Sequence, residues 1–168
     1  TAAIEALWHS QNGADLVLAA KINQSKRTNE YEIALPKLAS LINTHQLDGH
    51  LQGLDTVPDE ELPKVSIVFW SFRIMVGLGL LMLIISWFGL YYSCKKLAVY
   101  PMWLLKTFVL TSPAGFVALI TGWFTSEVGR QPWVVYGLVK TNEVVSNISQ
   151  ESVYKGFAVI IITYGLIF

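Results

Sequence analysis

The chain has 168 residues, no formal net charge, 53% apolar residues and only 14% charged ones. Soluble domains carry about 25% charged residues, so the composition points to a membrane protein, and neutrality removes the basic field that nucleic acid would need. The single cysteine, Cys94, excludes an intrachain disulfide, and no Cys or His cluster has the spacing of a zinc or iron–sulfur site.

In chain order, residues 1–62 come first. They hold more than half of the charged residues and all three histidines, His9, His45 and His50. A polar run from Asn23 to Glu32 and a short amphipathic one from Leu35 to Ile42 predict a water-facing loop region with one or two short helices. Pro58 and Pro63 punctuate its end.

Residues 63–94 are the first expected span. Between Val65 and Tyr92 the only charge is Arg73, and a span needs about 20 apolar residues. Lys95 and Lys96 stop it. The second span covers 102–129, with Lys106 near its start and Pro113 in its middle, where it should kink. A connection over 130–152 leads to a third span over 153–168. Lys95, Lys96 and Lys106 flank one short connection, which the positive-inside rule places in the cytoplasm. Arg130, Lys140 and Lys155 lie at the other end, together with the 1–62 region, which is therefore read as extracytoplasmic. The chain starts at Thr1 and stops within an apolar run at Phe168; both ends read as cuts, so a fragment is expected. The fold class expected is an all-α integral membrane protein, a transmembrane helix bundle with an extracytoplasmic loop region.

Two groups of residues call for chemistry. Ionisable side chains at membrane depth cost several kcal/mol unless paired or facing a cavity, which singles out Arg73 in the first span and Glu127 and Arg130 at the end of the second. Trp123, Glu127 and Arg130 follow one another at steps of four and three, on one helical face. A ring, a carboxylate and a guanidinium so placed suit a charged planar cofactor; the competing reading is a plain ion pair between Glu127 and Arg130. In the first span Phe72, Met75, Gly79 and Ser86 share a face. Gly79 would let a flat ring approach the backbone, and Met75 offers a thioether to haem iron, although packing is the commoner role of a methionine in a helix.

Three stretches carry a resemblance. Gly122-Trp-Phe-Thr-Ser-Glu-Val-Gly-Arg-Gln-Pro-Trp133 resembles the GW…E.GRQPW signature of subunit I of cytochrome bd-type quinol oxidases. Phe72-Arg-Ile-Met-Val-Gly77 resembles the FRxMVG motif of that family, and Ala2-Ala-Ile-Glu5-Ala-Leu-Trp8 its quinol-loop motif, KxAAxEA.W. The resemblance covers nearly the whole chain and corresponds to the carboxy-terminal half of that subunit. It implies a terminal oxidase of the bacterial cytoplasmic membrane, which oxidises quinol, reduces oxygen to water and contributes to the proton-motive force.

Carried over by position, the resemblance makes Met75 an axial ligand of a low-spin haem b, with Arg73 tuning that haem electrostatically. Glu127 ligates or abuts a high-spin haem b, Trp123 lies on the electron path between haems, and Arg130 holds propionates. Glu5 belongs to the quinol site, where a carboxylate accepts a hydroxyl proton. The loop between Glu5 and Met75 is short for the family, as in members described as cyanide-insensitive, so the third haem is read as haem d or a third haem b. The implied partners are oxidase subunit II, the missing amino-terminal half of the same subunit with its histidine ligands, quinol, oxygen and membrane lipid. No family ligand falls on His9, His45 or His50, which are expected in water. The alternative is a non-catalytic membrane sensor or assembly module without cofactor; a transporter would need inverted repeats or paired broken helices, which the sequence lacks.

Overall fold

The computed structural model describes residues 2–95, 100–144 and 148–167. Lys96 and Phe168, which bore on the sequence reading, lie outside the described residues. The chain divides into two compact units, Thr1–Pro132 and Trp133–Phe168.

The first unit is a small polar cap set on one end of a helix pair. The cap begins with a short helix, α1 (Ala2–Glu5), followed by strand β1 (Gln11–Asn12) and an antiparallel hairpin of β2 (Leu16–Asn23) and β3 (Thr28–Leu35). Helix α2 (Leu38–Thr44) follows, and β4 (His50–Leu51) returns to pair with β1. The fold is therefore mostly helical and not all-α. The hairpin is the correction, and its cause lies in side-chain distribution. Val17 and Ala20 of β2 are buried, whereas Tyr31 and Ile33 of β3 are exposed. The strand face that meets the core thus carries small residues, and the apolar alternation that advertises a strand is blurred.

Ser40 ties the cap together. Its hydroxyl accepts from the Ala14 amide at 2.7 Å and donates to the Gly49 carbonyl at 2.8 Å, so buried polar groups are matched. The cap core of Ala6, Trp8, Val17, Ala20 and Leu54 runs directly into Val65 and Phe69, the first turns of the next helix.

That helix, α3 (Val65–Cys94), has 30 residues and is apolar on every side. At 1.5 Å per residue it is about 45 Å long, enough to cross a hydrocarbon layer of about 30 Å. After it come α4 (Met102–Thr111) and α5 (Ala114–Arg130). They are two pieces of one expected span, broken where Pro113 lacks an amide to continue the ladder. Two helical segments, Asp59–Cys94 and Met102–Arg130, are long and apolar enough to cross a membrane. The hydroxyls of Thr107, Thr111, Thr121 and Thr125 each donate to the carbonyl four residues earlier, at 2.7–3.0 Å, which satisfies them without water.

The second unit has a short hairpin, β5 (Trp133–Val135) with β6 (Val139–Lys140), turning at Gly137, whose φ of 75° favours glycine. Its helix α6 (Gln150–Ile167) starts three residues before the expected third span.

Candidate functional site

The site grows from the first two turns of α3 beyond the cap core. Arg73 points back into the cap. Its Nε donates to the Val17 carbonyl at 2.7 Å, and its Nη2 donates to Glu5 Oε2 at 2.7 Å. The guanidinium lies 4.8 Å from the Phe69 ring centroid and 5.5 Å from that of Phe72, so its faces meet aromatic rings while its edge meets oxygen. The two side chains of the Arg73–Glu5 pair are 12% and 10% exposed. A single basic residue thus fastens both α1 and β2 to α3.

Beside Glu5 opens a polar cavity of about 420 Å³, lined among others by Trp8, His9, Arg27, Asn29 and Glu32. Asn29 organises one wall. Its carbonyl oxygen accepts from Trp8 Nε1 at 2.8 Å, and its amide donates to the Ala6 carbonyl at 3.2 Å and to Glu32 at 3.3 Å. Arg27 is drawn to Asp59 by an ion pair. Sequence reasoning missed Asn29 and the Val17 carbonyl, since neither contact is visible until the hairpin brings strand and helix together. His9, His45 and His50 are all exposed, as expected from the polarity of their surroundings.

Farther along α3, the Met75 thioether turns toward α5. A Cβ built on Gly122 would lie 2.8 Å from Met75 Sδ, while one built on Gly79 would meet nothing within 4 Å. The space beside Gly79, where the sequence reading expects a flat ring, is open, and the close approach of α5 to α3 falls at Gly122. Its signal was available in the repeat of glycines at 115, 122 and 129, seven residues apart.

Trp123, Glu127 and Arg130 do share a face of α5, and all three are exposed, Trp123 by 63%. Among the described residues Glu127 and Arg130 form no ion pair with each other or with any other group, so the competing reading of a closed intrahelical pair is not what the structure contains. No group of three or more metal-ligating His, Cys, Asp or Glu side chains occurs among the described residues. Lys95 lies at the end of α3, with its ammonium 4.7 Å from the Tyr91 ring centroid.

Two helical segments long and apolar enough to cross a membrane, with a polar cap at one end joined to them by a buried ion pair, fit the class of membrane proteins. Comparison with known proteins narrows this class. The family described as cytochrome bd terminal oxidase subunit I matches residues 1–168, and the chain belongs to that family. It is similar to cytochrome bd ubiquinol oxidase subunit 1 of Bacillus subtilis, with 33% identity over 155 residues, covering 86% of this chain and 33% of that one. It is also similar to cytochrome bd-II ubiquinol oxidase subunit 1 of Escherichia coli, 39% identical over 80 residues, covering 48% of this chain and 16% of that one. Among solved structures, the bd oxidase from Geobacillus thermodenitrificans matches with a TM-score of 0.78 at 23% identity, over 98% of this chain and 38% of that chain. The chain thus covers 33% of the length of the Bacillus subtilis relative and 38% of the Geobacillus thermodenitrificans chain.

Proposed function

We propose that this chain works within a terminal respiratory oxidase that oxidises quinol and reduces oxygen to water. The observation that carries the reading is the buried Glu5 carboxylate, set between a polar cavity and Arg73, with Arg73 two residues from Met75 on the same helix. Membership of the subunit I family supports it.

In this reading the cavity receives the quinol head group. Glu5 accepts a hydroxyl proton through the carboxylate oxygen not engaged by Arg73. Arg73 keeps the carboxylate in place, and Asn29 fixes the wall opposite by holding Trp8 and the Ala6 carbonyl. Quinol protons leave on the cap side, which is extracytoplasmic, while protons for water come from the cytoplasmic side, where Lys95 and Lys106 lie. That separation builds proton-motive force without a pump.

The side chains fit the haems that the family implies. Met75 presents a thioether beside the bare Cα of Gly122 and would serve as a ligand to the iron of a low-spin haem b. Glu127 and Arg130 stand on one face with Trp123, without counter-ions among the described residues, which would suit a carboxylate toward a high-spin haem b and a guanidinium toward propionates. The haems, the third being haem d or haem b, supply one-electron transfer and oxygen binding when bound. Trp123, exposed on the same face as Glu127, would serve the electron path between them. The remaining ligands come from the amino-terminal half of the subunit, and oxidase subunit II completes the complex in a bacterial cytoplasmic membrane.

The test is made on the intact complex. Quinol-driven oxygen uptake and pyridine haemochrome analysis should both be positive. A purified complex that contains no haem would defeat the oxidase reading in favour of a sensor or assembly module.

A further inference from the structure

Helices α3 and α5 run antiparallel in a fixed seven-residue register. A Cβ on Gly129 would lie 3.6 Å from Val68, one on Gly122 2.8 Å from Met75 Sδ, and one on Gly115 3.9 Å from Met82 Sδ. Val68, Met75 and Met82 are seven apart, as are Gly115, Gly122 and Gly129. The step continues to Gly89 of α3, where a Cβ would lie 2.9 Å from Phe108 of α4. Small residues let membrane helices approach closely, and a seven-residue repeat keeps one seam in contact along the pair.

The three α5 glycines do not have equal consequences. At Gly115 and Gly129 the added carbon would make ordinary van der Waals contact. At Gly122 it would press into the sulfur of Met75. Methionine is unbranched, with three rotatable bonds, and takes its direction from its walls. The Cα of Gly122 is such a wall, and a carbon built on it would lie 2.8 Å from the one side-chain atom of Met75 that has electron pairs to give.

We propose that Gly122 is a positioning residue for Met75, its bare Cα setting the direction in which the thioether presents its lone pairs. The inference rests on the reading of Met75 as a haem ligand. Because Sδ is near the far end of a flexible side chain, Gly122→Ala displaces the sulfur and leaves the helix pair standing. A displaced sulfur weakens the axial field on the iron.

The experiment compares Gly122→Ala, Gly115→Ala and Met75→Leu in the full oxidase complex, each normalised to assembled, haem-containing protein. Gly122→Ala is expected to retain its haem content while the low-spin α-band shifts or partly gives way to a high-spin spectrum, with a changed midpoint potential. Gly115→Ala, which adds the same carbon to the same seam, should match the wild type in both. An unaltered spectrum and potential in Gly122→Ala, where Met75→Leu loses the low-spin signal, overturns the positioning role and leaves Met75 a ligand. A low-spin signal that survives Met75→Leu overturns the ligand reading itself. Failure of Gly122→Ala alone to assemble also overturns the proposal, since the seam and not the sulfur would then have failed to yield.

Discussion

Arg73 and Glu5 are 68 residues apart in sequence and 2.7 Å apart in space, and their pairing joins the cap to the helix that carries Met75. Two charges so little exposed stabilise a structure only while both are present; removing one partner of a buried pair costs about 3–5 kcal/mol. Arg73→Gln should therefore loosen the cap, because the Val17 carbonyl and the Glu5 carboxylate lose their donor together. Limited proteolysis of the purified complex should cut faster within residues 1–62, and the KM for quinol should rise. Unchanged cleavage would mean that the cap core of Trp8, Leu54 and Phe69 holds α3 by itself.

Glu5→Gln makes the opposite separation. The amide oxygen still accepts from Arg73, although the guanidinium loses its counter-charge, so the cap should loosen less than in Arg73→Gln, and the side chain no longer takes a proton. Loss of a general base slows turnover by about 10²–10⁴-fold. We expect kcat with quinol to fall within that range at normal haem content, with protease resistance between that of the wild type and that of Arg73→Gln. Wild-type turnover in this variant would remove Glu5 from proton acceptance.

The parts of the molecule legible in the sequence are those that depend on short-range pattern. The run from Val65 to Tyr92 interrupted only by Arg73, and the proline at 113, announce a long helix and a broken one, and both are present. The family motifs single out Glu5, Met75 and Glu127 as candidates. What pattern could not supply is pairing between distant segments. The hairpin of β2 and β3 escaped because its buried face uses Ala20 while Tyr31 and Ile33 face outward. The partner of Arg73 escaped because a charged residue in a span reads equally well as a cofactor neighbour or as an ion pair. The glycine repeat on α5 was visible, yet only the antiparallel register shows that Gly122 meets Met75.

A pH dependence follows from the cap. Asp55 Oδ1 accepts from the Ser10 hydroxyl at 2.8 Å and Oδ2 from the Ser10 amide at 3.1 Å, while the Gly53 amide donates to the same hydroxyl at 2.9 Å. The Ser10 backbone and side-chain hydrogen bonds hold the Asp55 carboxyl below its ordinary value. A depressed carboxylate adds stability that is present above the ordinary value and is lost as pH falls through the folded one. The closure of residues 9–10 onto 53–55 should thus persist at neutral pH and weaken below about pH 4. Amide exchange at Ser10 and Gly53 should rise there in the wild type, and should be faster and pH-insensitive, beyond intrinsic exchange, in Asp55→Asn. A wild type whose protection does not change on acidification would show that Asp55 does not hold the joint.

Met75→Leu conserves volume and removes the sulfur. Leu for Met in a packed site usually costs less than about 1.5 kcal/mol, so the α3–α5 pair should survive and the complex should assemble. The low-spin haem should become high-spin or be lost. Optical spectra of the reduced complex report the change, and an intact low-spin band would withdraw Met75 from the iron.

Glu127 carries the firmest expectation. It sits on α5 with Trp123 four residues before and Arg130 three after, on an exposed face. Neither it nor Arg130 has an ion-pair partner among the described residues. A lone carboxylate and a lone guanidinium within a span that must meet lipid or protein cost several kcal/mol each unless something covers them, and a haem with its iron and propionates offers a partner to both. Glu127→Ala should therefore damage the oxygen-reducing pair selectively. Loss of a group that merely supports a metal ligand costs about 10–100-fold in activity or metal affinity, so loss of a ligand should cost more than about 100-fold in turnover. The low-spin haem, for which Met75 on α3 is the proposed ligand, should remain. If Glu127 instead served only to anchor α5 against neighbouring protein, assembly would fail as a whole, and all haems would fall together in proportion to protein. Haem stoichiometry per purified complex separates the outcomes: retention of the low-spin signal with loss of the high-spin one supports the ligand role, and uniform loss refutes it.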